Sequence, residues 1–178
     1  MHAPGCAGYL LSLVEMKNDR KNDRGKMIGK MIERRKFHRI IFCAAGIYNI
    51  TWGLYSVADP QWLFRHAGLP PQNYPQIFAC LGMVVGLYGV IYLEVARVPE
   101  RGWLLAAVGL VGKVLGPIGL AHLIWSGEWP LATVVLSLTN DLIWWLPFAL
   151  YLHDAWPFYL RDILKRREAT DVLKLGAS

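Results

Sequence analysis

The segment WLLAAVGLVGKVLGPIGLAHLIW, residues 103–125, decides the class of this protein. It holds one charged side chain, Lys113, in a run otherwise built of apolar residues, glycines, one proline and one histidine. At ~1.5 Å per residue it reaches ~34 Å, enough to cross the ~30 Å hydrocarbon core of a bilayer. Runs of the same kind lie at about 39–58, 76–95 and 130–153. Four such runs predict an all-α integral membrane four-helix bundle carrying a basic cytoplasmic tail at its N-terminus.

The composition agrees with this reading. Apolar residues make up 54% of the chain, above the roughly 45–50% of soluble domains. Charge gathers before Arg39 and after Asp154. That divides the chain into a basic polar tail (1–37), a four-helix domain (38–157) and a basic C-terminal tail (158–178). The net charge of +6 does not point to nucleic acid, because the basic residues flank the first and last apolar runs and no binding motif accompanies them. They face anionic lipid headgroups instead. In the first tail, Lys17-Asn18-Asp19-Arg20 repeats as Lys21-Asn22-Asp23-Arg24, which reads as low-complexity chain. Residues 27–38 read as a basic amphipathic surface helix. Met16, Met27 and Met31 are alternative starts, and the apolar piece Gly8–Val14 lacks the basic flank of a signal peptide.

Orientation follows from Lys and Arg. Seventeen lie in the tails and the second loop, and only Arg65 lies in the first loop. Both termini are therefore expected on the cytoplasmic side of the membrane. In the first outer loop, Asp59-Pro60 reads as a helix start and Gly68 as its stop, with Trp62, Leu63 and Phe64 between them on the outer membrane surface. Pro130 reads as the first residue of the last helix. Trp103, Trp125, Trp129 and Trp156 fall near span ends, where interfacial aromatics belong.

Glycines recur along two runs: Gly82, Gly86 and Gly89 in the second, and Gly109, Gly112, Gly116 and Gly119 in the third. Small residues let membrane helices approach closely, so both stripes are read as packing faces, with a substrate groove as the alternative.

Polar residues of three spans share one depth. Asn49, Lys113, Asn140 and Asp141 each lie about ten residues into a span, hence ~15 Å deep. A charge there costs roughly 2.5–3.5 kcal/mol on insertion scales, so Lys113 and Asp141 are expected to pair, with Asn49 and Asn140 completing the hydrogen bonds and Trp144 on the same face as Asp141. Pro117 and Pro147 deprive the carbonyls of Lys113 and Ile143 of their helical partners, leaving them for water, an ion, a polar ligand or a neighbouring side chain. Secondary candidates are Glu94, whose natural partner is Arg97, together with Tyr88, which shares a face with Tyr92, and His122. His38 and His153 read as interfacial residues. His66 and His122 could reach one metal from the outer side, but no zinc-type spacing exists and no metal or cofactor is expected. Cys6, Cys43 and Cys80 form no CxxC pair, and Cys43 and Cys80 sit at opposite depths, which argues against a disulfide.

The runs Gly86-Leu87-Tyr88-Gly89, Gly112-Lys113-Val114-Leu115-Gly116-Pro117 and Thr139-Asn140-Asp141-Leu142-Ile143-Trp144-Trp145-Leu146-Pro147-Phe148 resemble an uncharacterised family of small bacterial four-span membrane proteins, over residues 38–153. Some members of that family carry an alkyl hydroperoxide reductase label. Such a peroxidase needs an activated thiolate in a pocket, and the cysteines here are scattered. A second similarity is to the sterol-isomerase-like (EXPERA) membrane family, through its helix count and the placing of Asn140, Trp144 and Pro147. It implies a sterol-like ligand and buried acids that move protons, although Glu94 is the sole carboxylate of the second span and lies near its end.

Three functions are compatible with these features. The first is a non-enzymatic module that binds a lipid or small amphipathic ligand, or serves as accessory subunit to another membrane protein. The second is a small proton-transfer enzyme of isomerase type with Asp141 or Glu94 as base. The third is a transporter, which with four spans and no inverted repeat needs a homo-oligomer.

Overall fold

The computed structural model describes residues 6–175. The chain is all-α, with no strand among the described residues, and four of its helices are long and apolar enough to cross a membrane. It is a multi-pass membrane protein.

The first helix, α1, runs unbroken from Cys6 to Ala58. The expected tail, its repeat and its surface helix are therefore one continuous rod with the first span. No proline falls between these limits, and Asp59-Pro60 ends the helix because a residue before proline avoids helical geometry. Its 53 residues extend ~80 Å, so more than half of the rod projects beyond a ~30 Å core. The short α2, Trp62–His66, follows. The Asp59 carboxylate accepts the Gln61 N–H at 3.3 Å and pairs with Arg65. Gly68, at φ +68°, closes the turn as expected of a left-handed stop. Leu63 and Phe64 do not lie on the membrane surface. They are buried with Phe78, under Trp52, Trp62 and Trp129, as a plug over that end of the bundle.

The remaining spans are α3 (Pro75–Arg97), α4 (Trp103–Trp125) and a composite fourth. The fourth opens with a 3₁₀ turn at Leu131–Thr133 and a short α5 at Val134–Ser137. A π-turn follows over Leu138–Leu142, then α6 from Ile143 to Leu175. Pro130 is extended (ψ 146°) and precedes the helix rather than starting it. The Thr133 N–H and hydroxyl both donate to its carbonyl. α6 also runs past the expected end at His153 into the predicted C-terminal tail.

Each helix buries a stripe that steps by four and three residues. On α1 it is His38, Phe42, Ala45, Asn49 and Ser56. On α3 it is Phe78, Gly82, Gly89, Tyr92 and Ala96, and on the fourth span Ser137, Asp141, Trp144, Phe148, Tyr151 and Ala155. A 3.5-residue stripe is the pattern of helices packed at a shallow left-handed angle.

α1 and α3 pack the most closely. A Cβ at Gly53 would stand 2.5 Å from the Gly82 carbonyl, and one at Gly89 would stand 2.6 Å from the Gly46 carbonyl. The second-span stripe is thus a packing face, met by glycines of the first span. The third-span stripe is different. Nothing lies within 4 Å of a Cβ at Gly112 or Gly119, and Gly116 faces the Asp141 carboxylate.

The core is layered along the bundle axis. Phe42, Tyr92, Phe148 and Tyr151 form an aromatic layer with ring centroids 4.4–6.0 Å apart, joining α1, α3 and α6. On its terminus-bearing side lies a polar layer of His38 and Asp154. On its other side lies the Lys113–Asp141 layer, and beyond that the aromatic plug.

Candidate functional site

The mid-depth layer gathers Lys113 from α4, Asn140 and Asp141 from the π-turn, and Trp144 from α6. Lys113 and Asp141 are both buried. The lysine Nζ donates to the Asn140 backbone carbonyl at 2.6 Å and stands 3.8 Å from Asp141 Oδ1. Its tightest contact is therefore a carbonyl of the π-turn, and the carboxylate is the longer one. A π-turn breaks the regular hydrogen-bond ladder of the helix, and the lysine takes up a backbone oxygen there. Asn140 Nδ2 donates to Asp141 Oδ1 at 2.9 Å, as the sequence suggested. The Lys113 ammonium also stands 5.8 Å from the centre of the Trp144 ring, within cation–π range.

Pro117 acts as expected on the Lys113 carbonyl, which the Trp145 indole N–H satisfies at 3.0 Å. A neighbouring side chain thus holds that oxygen. Asn49 departs from expectation. It is buried at the same level but bonds neither charge, and its Oδ1 has no partner. Asn140 Oδ1, Ser137 Oγ and Trp144 Nε1 are likewise buried and unpartnered. Each such group costs ~1–3 kcal/mol, so four in one layer are a marked departure from a packed interior.

Asn49 and Asn140 line a cavity of about 330 Å³, and Ser137 lines a second one beside it. The first lies between α1, α3, α4 and the π-turn, with Asn49, Lys113, Asn140 and Asp141 on its polar side and Trp52, Val84 and Tyr88 on its apolar side. Gly109, Gly112 and Gly116 line it, so the third-span stripe makes room for a cavity instead of a helix. The second cavity, of about 210 Å³, continues from Asn140 and Asp141 towards Trp62 and Trp129 of the plug. Tyr88 thus joins the site. Glu94 does not: it is exposed near the terminus-bearing end of α3 and bonds Arg97 twice, at 2.7 Å. His122 is exposed and lines neither cavity.

Tyr92 had been noted only for sharing a face with Tyr88, and Trp52 and Trp145 were not singled out by sequence reasoning. Trp52 falls one step beyond Asn49 on the α1 stripe, Tyr92 one step beyond Gly89 on the α3 stripe, and Trp145 is legible only through the carbonyl it satisfies. His38 calls for a correction. It is fully buried within the protein instead of exposed at that end of the bundle, and its Nε2 stands 3.1 Å from Asp154 Oδ2. Arg34 and His153 reach the same carboxylate at 3.4 and 3.2 Å. The cluster ties α1 to α6 where both rods leave the bundle.

Among the described residues no group of three or more His, Cys, Asp or Glu could hold a metal ion. Cys43 and Cys80 are free and exposed, and the Cys6 side chain lies outside the described residues. No family model, curated protein or solved structure matches the chain.

Proposed function

We propose that this protein binds a small amphipathic ligand, or a lipid, inside the membrane, with its polar head among Asn49, Lys113, Asn140 and Asp141 and its apolar body against Trp52, Val84 and Tyr88. The observation that carries the reading is a cavity at mid-depth into which buried polar atoms are presented without protein partners. In a soluble core such groups would be paired or replaced by apolar ones. A head bearing both a donor and an acceptor satisfies them, since the carboxylate and amide oxygens accept and the lysine donates. A ligand of this kind also suits a binding module or an accessory subunit. We place the protein in the cytoplasmic membrane of a bacterium with both termini inside, on the strength of its seventeen-to-one basic asymmetry and its family resemblance.

The test is mass spectrometry of small molecules released from the purified full chain, beside the variant Gly112→Leu. Position 112 lines the cavity and a Cβ there meets nothing within 4 Å, so a leucine is expected to take up cavity space with little disturbance of the helices. A molecule held in near-stoichiometric amount by the natural chain and lost from a folded Gly112→Leu supports the reading. Equal retention by both, or no bound molecule, refutes it.

A proton-transfer enzyme is the second reading, favoured by the placing of the Asp141 carboxylate on the cavity wall. It shifts the candidate base to Asp141 alone, because Glu94 is at the surface. Under that reading Asp141→Asn keeps the ligand and loses turnover.

A further inference from the structure

A second site lies outside that cavity, on the bundle surface at the terminus-bearing end. Lys36, Arg39, Ile40 and Cys43 follow one another on α1 at i, i+3, i+4 and i+7, and so share a face. Leu93, Ala96 and Arg97 do the same on α3. The two faces form the walls of one groove. Its upper end holds three cations and its floor is Ile40, Cys43 and Leu93. No carboxylate lines it.

The cations differ in their commitments. Arg39 Nε donates to the Ala96 carbonyl at 3.1 Å, which fixes its guanidinium over the end of α3 and leaves its other N–H groups free to donate. Arg97 binds Glu94 through Nε and Nη2. Lys36 is exposed and makes no hydrogen bond or ion pair among the described residues. With Glu94 counted, and with Glu100 set against its partner Arg35, the cluster keeps a net charge of two positive units over an apolar trough. The trough runs along the lipid-facing seam of α1 and α3, whose backbones meet at Gly46 and Gly89 just below it.

We infer that this groove binds an anionic phospholipid, with its phosphate held by Lys36, Arg39 and Arg97 and an acyl chain laid along Ile40, Cys43 and Leu93. A soluble anion would use the cations but not the trough. A zwitterionic lipid would use the trough but gain little from a cluster of one sign. Only an anionic phospholipid matches both, and the groove opens at the depth where its headgroup sits. The inference does not depend on the ligand proposed for the inner cavity.

Cys43 supplies the reporter, being free, exposed and in the floor. In a full-length chain carrying Cys6→Ser and Cys80→Ser, the rate of Cys43 labelling by a membrane-permeant maleimide is measured in nanodiscs of phosphatidylcholine alone and with one-third phosphatidylglycerol. A control chain carries Cys43→Ser and Ala44→Cys, which puts the thiol at the same depth on an exposed position outside the groove. Surface potential and local pH act on both thiols, and groove occupancy acts on Cys43 only. Phosphatidylglycerol is expected to slow Cys43 labelling severalfold relative to the control. Lys36→Gln should shift the phosphatidylglycerol fraction giving half-protection upward by roughly fivefold, the worth of one cation near the surface, and Lys36→Arg should restore it. Equal slowing of both thiols overturns the proposal, as does protection that persists unchanged in Lys36→Gln. Protection by inorganic phosphate in neutral detergent also overturns it, because it assigns the cations to a soluble anion.

Discussion

The two glycine stripes make opposite predictions for the same chemical change. At Gly53 an added methyl would stand 2.5 Å from the Gly82 carbonyl and 2.8 Å from the Gly86 Cα and N, so it misses the ordinary 3.4 Å contact by about 0.9 Å. All three neighbours are backbone, and no side chain can rotate away. α1 and α3 must separate along the seam, which forfeits contacts on both sides of the crossing. Overpacking of this kind costs ~1–3 kcal/mol. At Gly112 the methyl meets nothing. Replacing a mid-helix glycine by alanine gains ~0.5–1 kcal/mol in water. In a bilayer the gain falls to the lower end, because helices there exist before they associate and the unfolded reference is already helical. Gly53→Ala is therefore expected to destabilise by ~1–3 kcal/mol and Gly112→Ala to be neutral or stabilising by up to ~0.5 kcal/mol. Titration from mild detergent into SDS, followed by the fluorescence of the eight tryptophans, measures both. Two variants with the same sign and similar size would refute the division of the glycines into a seam and a cavity wall.

Other outcomes follow from the polar layer, the plug and the topology. Lys113→Met and Asp141→Leu should each cost ~3–5 kcal/mol in the same titration, and the double variant less than their sum, since no orphan charge remains. Costs that add to within ~0.5 kcal/mol would mean that the two groups do not interact. In the plug, the hydrogen bond from Arg65 holds the Asp59 carboxyl below the usual carboxylate range, against a smaller opposing effect of burial. Its contribution to the α2 turn is complete above the unfolded value near ~3.9 and fades as the pH falls through the lower folded value. Amide exchange at residues 61–68 should accelerate over that window in the natural chain, and should not respond there in Asp59→Asn. A reporter active only outside the cell should be silent when fused after Ser178 and active between Pro70 and Gln72. An active C-terminal fusion would contradict the four-span orientation.

The number of spans was legible because their signal is length and apolarity, which need no knowledge of neighbours. Element ends were less legible where continuation depended on nothing stopping the helix. α1 carries its polar repeat as helix because no proline interrupts residues 6–58. The shared depth of Lys113, Asn140 and Asp141 followed from counting residues, and their proximity from the cost of leaving a charge in hydrocarbon. What counting could not supply was the π-turn at Leu138–Leu142, since nothing in that composition marks a register slip. The slip decides the chemistry, because it gives Lys113 a backbone oxygen as its nearest partner. His38 and Asp154 were missed for a different reason. Asp154 entered only as a boundary of the charge-poor stretch, and His38 was read by its depth alone, although it lies on the same four-and-three stripe as Phe42, Ala45 and Asn49 and was thereby marked for burial.

The distribution of close contact and open space among the helices bears on how the site is built. Glycine meets glycine where α1 crosses α3, and there the backbones touch. Glycines of α4 face a side chain or open space, and there a gap remains. Small residues thus hold one pair of helices together and hold another apart. Holding a gap open requires bulky groups at its rim. Tyr92, whose ring stands against Gly109, is such a group between α3 and α4. The polar atoms in the gap do not close it, because neither Asn49 Oδ1 nor Asn140 Oδ1 finds a partner across it. The α1–α3 seam and the glycine wall of the cavity consequently rest on separate residues, whereas Lys113 and Asp141 serve both stability and the cavity. A substitution at Gly112 can alter what is bound while the α1–α3 seam keeps the helices assembled, and a substitution in the seam disturbs both.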